Sequence, residues 1–90
     1  MASKASIIKA IESKGGSHCG LWRIGLTHDP VERKRYWKDT KKQSVAYWSD
    51  WTADSLSDAQ DIESYFISKG MKDGTGSDLS ASKTVYVYVF

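Results

Sequence analysis

A chain of 90 residues with one cysteine and a formal net charge of +2 has room for a single hydrophobic core and no internal disulfide. Its 40% apolar content, including four Trp, five Tyr and two Phe, gives that core bulky material, since each aromatic buries roughly 150–250 Å². No apolar run approaches the ~20 residues of a membrane span, and the N-terminus MASKASIIKAIESKGG lacks a signal peptide's apolar stretch. The expectation is one domain over residues 1–90 in a reducing, cytoplasmic compartment.

Ser3 is placed to cap a helix that runs to about Ser13, with Ile7, Ile8 and Ile11 as its apolar stripe and Gly15-Gly16 as its stop. Leu21 to Thr27 alternates Leu21, Arg23 and Gly25 against Trp22, Ile24 and Leu26, the period of a half-buried strand whose second set faces the core. Asp29 as N-cap, Pro30 at the first helical position and Glu32 three residues after the cap then open a helix through VERKRYWK. Ser44 to Trp51 is rich in β-branched and aromatic residues and reads as a second strand. Ser57 with Gln60 resembles a capping box for a further helix, whose apolar face is Ala59, Ile62, Phe66 and Ile67 and which Gly70 closes. Gly74 to Ser82 is small, polar and turn-rich, the composition of a mobile surface loop. The closing KTVYVYVF is too apolar to lie unpaired and is expected as a central strand. The order α-β-α-β-α-β predicts an α/β (α+β) domain with a three-stranded sheet covered by about three helices.

Charge is unevenly placed along the chain. Arg33, Lys34, Arg35, Lys38, Lys41 and Lys42 fall within ten residues, and Asp50, Asp54, Asp58, Asp61 and Glu63 within fourteen. A basic run interleaved with Tyr36 and Trp37 is the pattern of a nucleic-acid contact, with Arg23, Lys34, Arg35, Lys38 and Trp37 as its candidate residues. The plainer alternative is a solvated helix face with covering aromatics. His18, Cys19 and His28 lack the spacing of a structural zinc site, and nothing places a base beside Cys19. The Gly74-Thr75-Gly76-Ser77 segment lacks the Lys and helix start of a phosphate-binding P-loop and reads as a connector.

The pieces RIGLTHDPVERKRYW and SVAYWSDWTADSLSDAQDIESYFISKG together resemble the GIY-YIG endonuclease family over about residues 22–70. Ile24-Gly25 match the second half of the name motif, Arg33 stands eight residues after Gly25 as the family's essential Arg does, and Glu63 stands four after Ala59 as its metal-binding Glu does. Arg23 occupies the place of the motif's tyrosine, Trp37 that of a frequent His, and no tyrosine-bearing strand precedes the match. The C-terminal VYVYVF has the composition of that missing strand. A circular permutation would seat it beside residues 21–27 and bring Tyr86 or Tyr88 to Arg33.

The resemblance implies metal-dependent hydrolysis of phosphodiester bonds. Tyr86 or Tyr88 would activate the nucleophile, Arg33 would neutralise the developing phosphorane, and Glu63 would hold Mg²⁺. The implied partner is nucleic acid, DNA more than RNA. The bland counterpart is an ion pair between Arg33 and Glu63. The rival function is a non-catalytic protein-interaction module or homodimer with a relict site, because Trp, Tyr and Arg dominate interface hot spots.

Overall fold

The computed structural model describes residues 3–15, 20–74 and 79–90. In chain order these form α1 (Lys4–Gly15), β1 (Arg23–Thr27), α2 (Pro30–Arg35), a π-helical turn (Tyr36–Thr40), β2 (Ser49–Thr52), α3 (Leu56–Ser68), β3 (Lys72–Asp73) and β4 (Tyr86–Val89). The result is a small mixed α+β domain with three α-helices and a four-stranded mixed sheet among the described residues. The sheet order is β2-β4-β1-β3, so the C-terminal strand is interior, paired antiparallel with both β1 and β2. No described helix is long and apolar enough to cross a membrane.

The helices begin and end where local chemistry directs. Ser3 Oγ accepts the Ser6 N–H at 3.2 Å and caps α1. Asp29 Oδ1 accepts the Glu32 N–H at 3.2 Å, with Pro30 following as the first helical residue of α2. At the end of α3, Gly70 takes φ 114 while its N–H reaches Ile67 O and the Met71 N–H reaches Phe66 O, a Schellman closure that only glycine adopts without strain.

One face of the two central strands, β1 and β4, is apolar. Ile24 and Leu26 of β1 and Val87 and Val89 of β4 meet Ile7, Ile11, Ala59, Ile62 and Phe66 in one buried cluster, with Trp22 packed at its edge. The expected alternation in β1 therefore holds, because a strand sends successive side chains to opposite faces.

Four expectations are corrected. A fourth strand exists: Lys72 and Asp73 pair in parallel with Arg23 and Ile24, and two charged residues leave no periodicity to read. The second strand starts at Ser49, not Ser44, because a turn closed by Trp48 N–H to Val45 O takes residues 45–48 out of the ladder. Ser55, not Ser57, caps α3 by accepting the Asp58 N–H at 3.1 Å. Ile67 is 36% exposed, lying off the stripe formed by Ala59, Ile62 and Phe66. His18, Cys19 and the Thr75-Gly76-Ser77 part of the expected loop lie outside the described residues.

Candidate functional site

The opposite face of the sheet is aromatic and charged. Arg23 and Gly25 on β1 and Tyr86 and Tyr88 on β4 alternate with the core residues, and Gly25 stands directly across from Tyr88. A methyl group at Gly25 would overlap the Tyr88 ring, so the glycine is what allows that ring to lie flat across the neighbouring strand. Trp48 stacks on Tyr88 with centroids 4.5 Å apart and planes at 10°, and Phe90 stacks on Trp48 at 5.3 Å. The aromatic cluster leaves Tyr88 with no exposed surface.

Its hydroxyl is nonetheless fully hydrogen-bonded. Tyr88 Oη donates to Gly74 O at 2.6 Å and accepts from Trp37 Nε1 at 3.0 Å and from Arg33 Nε at 3.2 Å. One proton donated and two lone pairs filled is the full capacity of a phenol. Burial pushes its pKa above 10.0; the hydrogen bonds from Arg33 and Trp37 and the Arg33 charge oppose that shift, while the charge of Glu63 reinforces it. The phenol is accordingly neutral at physiological pH.

Arg33 is fixed from several sides. Besides Tyr88, its Nη2 donates to Gly74 O at 2.8 Å, and its guanidinium lies 4.6 Å from the Tyr36 ring centroid and 5.6 Å from that of Trp37. Cation–π contacts of this kind contribute about 0.5–1 kcal/mol each at partly exposed sites. Gly74 is itself held by its N–H to Ile24 O at 2.7 Å. Among the described residues, Arg33 Nη1 has no acceptor.

Arg33 also lines a cleft of about 270 Å³, together with Leu26, Thr27, His28, Asp29, Leu79 and Lys83. His28 builds the far wall. Its Nδ1–H donates to Thr84 O at 2.8 Å and its Nε2 accepts the Ser80 N–H at 2.8 Å, which ties the segment leading to Lys83 against the end of β1. With both ring nitrogens engaged, His28 has none to spare for a metal ion. The cleft thus presents two cations, Arg33 and Lys83, in front of a fixed wall.

The remaining candidates separate into groups. Glu63 is half-buried on α3, the helix that packs on the apolar face of the sheet, and it does not line the Arg33 cleft. Tyr88, not Tyr86, meets Arg33; Tyr86 is half-buried two residues earlier on β4. Arg23 is turned to structural use, with Nη1 donating to Asp73 O at 2.8 Å and its guanidinium 4.6 Å over Trp37. Trp37 is 7% exposed and bonded to Tyr88, which corrects its expected place among nucleic-acid contacts: a buried indole cannot stack on a base. Lys34, Arg35 and Lys38 are exposed, and Arg35 pairs with Glu32 at 2.8 Å.

Sequence reasoning missed several residues of this arrangement. Gly74 contributes through its carbonyl, which side-chain chemistry does not announce. Phe90 could have been found, because it continues the alternation Tyr86, Tyr88 on β4. Among the described residues no three His, Cys, Asp or Glu side chains gather as a metal site. No family model matches the chain, and no curated protein or solved structure matches it.

Proposed function

We propose that this is a GIY-YIG-like domain that binds nucleic acid by its phosphates, with Arg33 as the principal contact and Lys34, Lys38 and Lys83 as supporting cations. The observation that carries the reading is the anchoring of Arg33 by Gly74 O, Tyr88 Oη and the Tyr36 ring, at a cleft that Arg33 and Lys83 both line. A guanidinium ordered in advance loses little further freedom on meeting a phosphate, and its planar fork suits bidentate contact. The seating of β4 beside β1, with Tyr88 at Arg33, gives the permuted GIY-YIG reading its support. Tyr88 acts as a positioning residue, because a neutral phenol with every hydrogen-bonding site filled has no capacity to take a proton.

The test is a titration of fluorescein-labelled DNA at several salt concentrations. Affinity should fall steeply with salt through counterion release, and Arg33→Gln should weaken binding about tenfold and shallow the salt slope by about one. Absent or salt-independent binding overturns the reading.

A second reading, cleavage of the bound strand, draws on the Glu63 charge that reinforces the upward shift of the Tyr88 phenol, although Glu63 does not line the Arg33 cleft. A single carboxylate suits Mg²⁺, which keeps several waters and takes further oxygens from substrate phosphate. Glu63 would hold the ion, which when bound supplies Lewis-acid stabilisation of phosphate oxygens. Incubation of labelled DNA with Mg²⁺ or Mn²⁺ should give products that Glu63→Ala abolishes; products that persist in the variant refute the assignment.

A further inference from the structure

Behind the basic run, the chain builds a second concave surface. After the π-helical turn, Lys42 takes φ 55, a left-handed conformation uncommon for a lysine, and the Gln43 N–H returns to Trp37 O at 2.9 Å. This reversal lays residues 43–46 alongside α2 and leaves a groove of about 530 Å³ lined by Lys34, Lys38, Gln43, Ser44, Val45 and Ala46. One wall carries two ammonium groups, and the other is small and uncharged.

The next residue along the chain is an exposed aromatic. Tyr47 follows Ala46 and is 75% exposed, while its neighbour Trp48 is stacked on Tyr88 and donates Nε1–H to Asp50 Oδ2 at 2.8 Å. Trp48 N–H also closes the turn onto Val45 O at 3.2 Å. Both ends of the segment are therefore pinned, and Tyr47 is displayed on a held turn.

We propose that this groove takes a single-stranded stretch of nucleic acid, with phosphates against Lys34 and Lys38 and a base stacked on Tyr47. The inference rests on the nucleic-acid reading above and sharpens it, since Arg33 and Lys83 grip phosphate in any strand whereas an exposed ring selects bases freed from a duplex. In a double helix the base faces are covered by their neighbours; in a single strand each offers a π-face to an aromatic side chain.

The test compares a labelled oligothymidine of about 12 nucleotides, a length within the range that small single-strand binding domains cover, with a duplex of equal length. Tyr47→Ala should weaken oligothymidine binding about tenfold and leave duplex binding unchanged, while Tyr47→Phe should keep affinity within about twofold. Replacing Lys34 and Lys38 with Ala together should weaken both strands and reduce the salt slope. Because Tyr47 is exposed, unchanged thermal unfolding should accompany these results. If Tyr47→Ala binds oligothymidine as the parent does while Arg33→Gln still weakens it, the groove assignment falls and the phosphate reading stands. An equal loss for duplex and single strand also overturns the strand preference. If the parent chain binds neither probe, both readings fall.

Discussion

The two faces of β1 and β4 carry the same backbone and opposite chemistry. Toward α1 and α3, Ile24, Leu26, Val87 and Val89 pack into Ile7, Ile11, Ile62 and Phe66, and burial there is non-directional. Toward α2 and the Trp48 turn, Gly25 and Tyr88 hold a network whose three hydrogen bonds meet at one oxygen. The first face should tolerate any apolar set of similar volume; the second depends on individual atoms in fixed places. Period two in a strand lets one short sequence serve both purposes, and the domain uses it to set a charged side chain against an aromatic floor.

The sharpest way to break the contrast is at Gly25. Gly25→Ala should destabilise the domain by about 3 kcal/mol in urea denaturation, because the added methyl displaces the Tyr88 ring from the position that Arg33, Trp37 and Gly74 all share. Next is Tyr88→Phe, expected to cost about 2 kcal/mol by leaving Gly74 O, Trp37 Nε1–H and Arg33 Nε–H without their shared partner. This variant also has a pH signature. Burial raises the folded phenol above its ordinary 10.0, so its contribution is fully present below that pH. Above it the unfolded chain releases a proton that the folded chain keeps, and stability declines as pH climbs toward the folded value. Alkaline denaturation followed for parent and Tyr88→Phe should show that part of the decline missing from the variant. On the apolar face, Ile62→Leu should cost about 1 kcal/mol or less, a volume-conserving change that the cluster absorbs. Were Ile62→Leu to cost as much as Gly25→Ala, the two faces would not differ in kind.

Residues whose role follows from their own chemistry were legible in the sequence. The Asp29 cap with Pro30, the stripe of Ile7 and Ile11, the alternation of β1, and the core positions Ala59, Ile62 and Phe66 all stand where pattern and capping put them, whereas Glu32 does not complete a capping box: its carboxylate accepts from Arg35, and the Asp29 N–H goes to Thr27 Oγ1. The misplaced features depended on long-range choices. Ser55 and Ser57 each precede a polar residue by three, and the choice falls to Ser55, whose cap lets Leu56 join the helix and pack against the core. Trp48 is strand-like in composition yet leaves the ladder because Tyr88 and Phe90 offer it a stacking surface.

At the site, Arg33 was legible from its distance to Gly25, and a C-terminal tyrosine beside it was anticipated. The carbonyl of Gly74 and the wall ending at Lys83 were not, since a backbone acceptor and a tied-down loop leave little mark on composition. Trp37 was misread because a basic run conceals which of its members turns inward.

If Tyr88 serves the phosphate contact by holding Arg33, a double-mutant cycle on DNA affinity tests it most directly. Arg33→Gln should weaken binding about tenfold and Tyr88→Phe about threefold, and the double variant should bind no more weakly than Arg33→Gln alone. Losses that multiply to about thirtyfold would mean that Tyr88 and Arg33 act separately, which the hydrogen bond between them contradicts.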